Sequence, residues 1–421
     1  MKERIVSKVL DNGLSVFLMR KKGYNKKFAI YATHYGSIDN EFVIPGEEKP
    51  IKVPDGIAHF LEHKLFEEEY GSVMDRFAEQ GASSNAYTNY TTTAYLFSCT
   101  DRFYENLDLL IDFVQKPYFT KENVEKEKGI IEQEIRMYLD DPGWRVFMNL
   151  LKALYHKHPV RIDIAGSVES IRQIDMDTLY KCYETFYNPE NMVLFAVGDF
   201  DEAEALNKIE SNFKKRKYEV HGKIKRFYPE EPKEIYKTKI VENLSVSEPL
   251  FHMGFKDTDV GYDGSKLLKK DITTRILLDM ILGRSSKLYR QLYEEGLIDD
   301  RFSLDYEGQK DYGFCVIGGP TRDPEMLHDR ILKGLEEYKV KGLNKEDYER
   351  NKKKMIGNYI KGFNSPEFIA TTFISYHFKN INILQYLEYL NIITFKDVEE
   401  RFSSFLDPKY HSYSVILPDE K

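Results

Sequence analysis

A chain of 421 residues, 42% apolar and 31% charged, is too long for one ordinary core and too apolar for a disordered chain, so two domains of roughly 200 residues each are expected. Acidic side chains outnumber basic ones, 69 to 61, and the net charge of −8 counts against nucleic acid as the partner. No stretch approaches the ~20 consecutive apolar residues of a membrane helix, and the opening Met1-Lys2-Glu3-Arg4-Ile5-Val6 lacks the apolar segment of a secretion signal. A cytoplasmic protein with no membrane partner is expected. Cys99, Cys182 and Cys315 are widely spaced and odd in number, which points to isolated reduced thiols rather than disulfides or a cysteine metal site.

Residues 14–18 alternate behind an Asn12-Gly13 turn and residues 28–33 form an apolar run; both read as strands. After a polar loop at 37–55, residues 56–69 are expected as a helix with Asp55 as its N-cap. A second helix over 70–80 is stopped by Gly81. Residues 85–91 and 93–99 read as strands, 103–114, 122–139 and 144–155 as helices, and 192–197 as an apolar strand ending at Gly198. Near Phe213 the composition turns charged and Pro-bearing, which suggests a linker at 216–237 between an N-terminal domain, 1–215, and a C-terminal domain, 238–421. Beyond it the order partly repeats: a strand at 249–255, helices at 267–282 and 286–295, and strand runs at 302–308 and 312–318. Two α+β halves of similar plan fit a duplicated fold.

The chemistry concentrates in His59-Phe60-Leu61-Glu62-His63. Positions i, i+3 and i+4 share one face of a helix, so His59, Glu62 and His63 project together. Two imidazoles one turn apart can hold a zinc ion, and HxxEH is the inverted form of the zinc-peptidase helix motif. Ile57, Ala58, Phe60, Leu61, Leu65 and Phe66 wrap the helix in apolar side chains, which implies burial. Two buried histidines and a glutamate require a metal or a polar network. A third ligand is sought in the acidic helix 122–139, where Val124, Ile130, Ile131, Ile135 and Tyr138 define an apolar face. Glu127 and Glu134 fall inside that stripe, whereas Glu125 and Glu132 fall outside it. Glu134 is assigned as third ligand and Glu127 as a supporting carboxylate.

These residues, followed by Gly81-Ala82-Ser83-Ser84-Asn85-Ala86-Tyr87-Thr88, Tyr95, and Tyr187-Asn188-Pro189-Glu190-Asn191-Met192 with Val197-Gly198-Asp199, resemble the insulinase–pitrilysin (M16) metallopeptidases. That family includes the mitochondrial processing peptidases, and the likeness is closest to its smaller bacterial members. The resemblance implies an α+β fold of two homologous domains, of the LuxS and processing-peptidase type. Each is a mostly antiparallel sheet packed with helices, and the two face each other around a chamber. It implies that His59, His63 and Glu134 bind zinc, that Glu62 is the general base, and that Asn85 and Ala86 line a sheet edge where peptide adds as an extended strand. Short or unfolded peptides are the substrates that follow from such binding.

The second half departs from the pattern. Family members carry an Arg and a Tyr seven residues apart after a Ser-containing helix start, which help bind the substrate carbonyl. In the matching stretch, 285–297, Tyr293 occupies the Arg place, and the Tyr place falls among Ile298, Asp299 and Asp300. A homologous subunit supplying the pair is therefore expected as partner, in a heterodimer rather than a homodimer, although Tyr293 or Arg301 is a possible substitute. The alternative reading is a non-catalytic, peptide-binding or structural subunit of such a complex. Elsewhere, His156 and His158 are expected as surface or capping residues, and Gly318-Gly319-Pro320 as a strand-end turn.

Overall fold

The computed structural model describes residues 4–69, 71–216, 218 and 222–419. Met1-Lys2-Glu3, Tyr70 at the start of the expected second helix, and Lys217 and 219–221 of the expected linker lie outside the described residues. The chain forms two compact units. One contains the residues up to Ile135, Ile162–Tyr228 and Gly362–Ser375; the other contains Arg136–Arg161, Pro229–Lys361 and the residues from Tyr376 onward.

The first unit is built on a six-stranded sheet of β1 (Val6–Val9), β2 (Ser15–Arg20), β3 (Lys27–Thr33), β4 (Ala82–Thr88), β5 (Thr93–Cys99) and β6 (Met192–Gly198). The spatial order is β1-β2-β6-β3-β5-β4. Only β2 and β6 run parallel; every other pair is antiparallel. Every residue of β6 is buried, as the unbroken apolar run predicts for a strand covered on both faces. One cover comes from far along the chain: Phe373, on the helix Pro366–His377, packs its ring on Phe17 and Phe195 at 4.6 and 4.4 Å between centroids. The other face carries α1 (Ile57–Leu65) and α2 (Lys121–Leu139), whose apolar residues join one core cluster with Phe97 and Leu194.

The second unit repeats the plan. Its sheet contains β7 (Lys239–Leu244), β8 (Leu250–Phe255), β9 (Ser303–Gly308), β10 (Gly313–Pro320) and β11 (His411–Pro418), in the order β7-β11-β8-β10-β9. The parallel pair is again the first one, β7 with β11, and the rest are antiparallel. This matches β2-β6-β3-β5-β4 strand for strand, so the two α+β units share one topology, as the repeated element order suggested. Gly318-Gly319-Pro320 continue β10 instead of forming a turn: an added Cβ at Gly318 would stand 1.9 Å from the Phe251 carbonyl of β8, so the close strand pairing requires glycine.

Two segments change sides relative to chain order. Helix α3 (Pro142–Leu154), capped by Asp141 through the Trp144 amide, packs on the second sheet. Its Leu150 and Leu154 cover Gly254 of β8, and its Arg145 and Asn149 bind Glu242 of β7. His158, just beyond, is buried rather than at the surface, and its Nδ1 accepts the Val160 amide at 3.1 Å. The expected linker is anchored at both ends. Arg226 and Tyr228 hold the buried Asp39 of the first unit. Glu231 of the second accepts the amides of His156, Lys157 and His158 and pairs with Lys256. Among the described residues no helix is long and apolar enough to cross a membrane.

Candidate metal centre

Helix α1 begins at Gly56, whose φ of +90° is left-handed. A side chain there would meet the Ala165 carbonyl at 2.3 Å, so glycine is required twice over. Asp55 is not the N-cap: its carboxylate accepts from Asn40 at 2.7 Å, and the helix opens with the Phe60 amide on the Gly56 carbonyl. The helix ends at Leu65, earlier than the expected Glu69. Its apolar residues are buried as anticipated, and His59 is 9% exposed.

The five expected side chains converge. His59 Nε2 lies 3.6 Å and His63 Nε2 3.3 Å from the Glu134 carboxylate, and ligand-type atoms of these three residues lie within 4.8 Å of one another. A tetrahedral ion with ~2.0–2.1 Å bonds spaces its donors ~3.3–3.4 Å apart, so the separations fit zinc. His63 Nδ1 donates to Glu127 at 3.1 Å, which leaves Nε2 as the nitrogen that faces Glu134 and would ligate once its proton is lost. His59 Nδ1 is buried with no hydrogen-bond partner among the described residues. The donor set, two imidazoles and one carboxylate on facing helices, is the kind that leaves a fourth position open.

Charge in the site follows from burial. Burial holds His59 down to about 4, and the charge of His63 adds to this against the pull of Glu134 and Glu127; it is neutral and ready to ligate. Burial also opposes charge on His63, but hydrogen bonds to Glu127 and Glu134 and the charge of Glu62 override it and push it up to about 10. A metal must therefore displace a proton there. Glu62, half-buried on the same face, is raised chiefly by burial, with the Thr88 hydroxyl opposing.

Three features escaped the sequence reading. Thr88 at the end of β4 donates its hydroxyl to Glu62 Oε2 at 2.7 Å. Lys64, fully buried, pairs with Glu67 and stands 3.9 Å from Glu127; the one-turn spacing Lys64–Glu67 was the available signal. Ile130 is 46% exposed and does not belong to the buried face of α2, which runs through Val124, Glu127, Ile131 and Ile135. Asn85 and Ala86 sit on β4, an edge strand whose one sheet neighbour is β5, and the Asn85 carboxamide covers the Ala86 amide at 2.9 Å. In the second unit Tyr293 lies on α5 when the helices are counted through α4 (Gly264–Leu282) and α5 (Lys287–Glu294); it is exposed. Arg301 is engaged by Asp299 and Glu248.

Comparisons with known proteins identify the family. Residues 52–168 match the family described as insulinase, peptidase family M16, and residues 173–355 match the M16 inactive domain. A Bacillus subtilis protein named zinc protease YmfH is 44% identical across 95% of this chain and 93% of its own. YmxG of the same organism, also named a zinc protease, is 27% identical across 74% and 75%. The crystal structure of an M16-like peptidase from Alicyclobacillus acidocaldarius superposes with a TM-score of 0.96 at 39% identity, covering 100% of this chain and 99% of the other. The periplasmic protease PqqL of Escherichia coli shares the fold, with a TM-score of 0.78 at 17% identity over 99% of this chain but only 48% of PqqL. The chain belongs to the insulinase family of peptidases, M16, among its small bacterial members.

Proposed function

We propose that this chain is a zinc metalloendopeptidase, or the zinc-carrying catalytic subunit of one, that hydrolyses short or unfolded peptides bound as an extended strand. The convergence of His59, His63 and Glu134 at zinc-like separations, with a non-ligating Glu62 on the same helix face, carries this reading. Zinc, when bound, supplies a Lewis acid that polarises a peptide carbonyl and acidifies water. His59, His63 and Glu134 hold it, and Glu127 fixes the ring of His63. Glu62 takes a proton from the attacking water and returns it to the leaving amine; the Thr88 hydroxyl donates to its Oε2 and so orients the carboxylate. Peptide pairs with the edge of β4 at Asn85 and Ala86 through main-chain groups, which makes binding largely independent of side chains. Three buried thiols, all unpaired, suit the cytoplasm.

The altered pair in the second unit supports a requirement for a homologous subunit that supplies carbonyl donors in trans. The deciding experiment measures zinc content and cleavage of a quenched peptide by the purified chain and by Glu62→Gln, each alone and with its related subunit. Metal-loaded protein that binds peptide but never cleaves it, in any combination, supports the non-catalytic subunit instead.

A further inference from the structure

The second unit brings together two histidines that the metal centre does not use. His328 lies on α6 (Pro324–Lys341) and His411 is the first residue of β11. Their Nε2 atoms are 3.1 Å apart while the ring centroids are 5.4 Å apart. The difference is about the sum of the two ring radii, so the nitrogens face each other head-on. Each ring's other nitrogen is already committed. His328 Nδ1 is 3.0 Å from the Asp329 carboxylate, and His411 Nδ1 is 2.5 Å from the Pro408 carbonyl. Carboxylate and carbonyl oxygens only accept, so both Nδ1 atoms carry hydrogen. Two neutral imidazoles have one N–H each, and both are used. The head-on contact then sets two lone pairs against each other unless a third proton lies between them.

We propose that His328 and His411 form a singly protonated imidazole pair that shares one proton between the facing Nε2 atoms and so latches the start of β11 to α6. The surrounding charges fit a single added proton. From α6, Glu325 and Asp329 contribute two carboxylates; from β7, Lys239 contributes one ammonium, paired with Glu325. On β11, the Tyr413 hydroxyl donates to Glu325 at 3.0 Å, and its ring stacks on His328 with centroids 4.3 Å apart. On the turn before β11, Asp407 caps the Lys409 amide; from β8 only the Phe255 ring approaches, 5.7 Å from His411. The nearest groups thus carry net negative charge, which favours an imidazolium in the pair. A second proton is disfavoured: burial holds His411 below its ordinary value, with the His328 charge adding to this against the Pro408 bond. A metal clamp does not fit, because lone pairs pointing at each other do not converge on a third point. The single group of three metal-type ligands among the described residues is His59, His63 and Glu134. The latch therefore weakens both when the shared proton leaves at alkaline pH and when a second proton arrives in acid.

The full chain, labelled with ¹⁵N at its 10 histidines, tests this by long-range ¹H–¹⁵N spectra from about pH 4 to about pH 10. Near neutrality both Nδ1 atoms should be protonated and both Nε2 atoms should show shifts between the protonated and free values. The two rings should lose the shared proton in one step, at a higher pH than the ~6.5 of an exposed histidine. His328→Gln and His411→Asn identify the signals, and each should abolish the shared-proton signature on the remaining ring. If a variant does not fold, through-bond transfer from backbone amides assigns the wild-type rings. The proposal is overturned by a free Nδ1 on either ring near neutrality or by two independent titrations. It is equally overturned if zinc alone, added past the first equivalent, binds the pair and displaces the proton.

Discussion

At the residue scale the proposed ligands and the proposed base are different side chains, and substitution should separate them. His59→Ala, His63→Ala and Glu134→Gln each remove a donor and should sharply lower the content of about one zinc per chain. Glu62→Gln touches no donor, so it should keep the metal and lose turnover. Metal analysis beside a peptide assay checks both; full zinc in Glu134→Gln overturns the ligand assignment. Glu127→Gln should weaken zinc binding ~10–100-fold, because it frees the ring of His63 without removing a ligand. Thr88→Val should lower kcat with zinc content and KM unchanged, and Thr88→Ser should restore it; an equal loss in the serine variant removes the positioning role from the hydroxyl. The grouping of His59, His63 and Glu134 was legible because their spacing on helices is local. The Thr88 contact was not, because a tertiary contact has no local signature in one sequence, and for Lys64 the one-turn spacing to Glu67 signalled the ion pair but not the full burial.

At the element scale the two units show the same sheet with different edges. Among the described residues β4 has one sheet neighbour, and its Ala86 amide donates to the adjacent Asn85 side chain. The equivalent strand β9 has cations on its carbonyls: Arg275 of α4 on Tyr306 and Lys379 on Gly308. Charged side chains on an edge oppose strand addition, which favours the first unit's edge for the proposed peptide pairing. Methylating peptide amides near the scissile bond should then raise KM more than exchanging most side chains does; comparable effects of both changes exclude strand addition. Strands β2 to β6 and β8 to β10 were legible from apolar runs and turn residues, with ends shifted by a few positions, whereas β1, β7 and β11 were not anticipated. The exchange of α3 and the helix Pro366–His377 between units was not. An amphipathic helix announces that it has an apolar face but not which sheet will cover it.

At the scale of the whole molecule, folding fixes how stability answers to pH. Burial holds His158 down to about 4, with Glu231 opposing and Lys256 assisting, against an ordinary 6.5. The folded chain refuses a proton that the unfolded chain accepts, so this contribution is fully present above about 6.5 and is lost as pH falls toward about 4. His158→Asn keeps an acceptor for the Val160 amide and cannot protonate. Urea unfolding across this range should show a flatter acid limb for the variant, and an unchanged slope removes His158 as its source. The last question at this scale is whether one chain is enough. His59, His63 and Glu134 come together as the proposed zinc set, yet the second unit has Tyr293 where the family resemblance places an arginine, and Arg301 is bound to Asp299 and Glu248. Catalysis needs interactions that strengthen in the transition state, and one carbonyl or oxyanion donor is worth ~2.7–4 kcal/mol, or ~10²–10³ in kcat. A homologous subunit carrying the pair should therefore raise the turnover of this chain by about that factor while leaving its zinc content unchanged. A second copy of this chain should not, because it lacks the same pair. Activity of the isolated chain, shown by mass to be free of partners, is compared with activity after its related subunit is added. Full turnover alone, unaffected by the addition, excludes the two-subunit reading and leaves Tyr293 as the residue to test next.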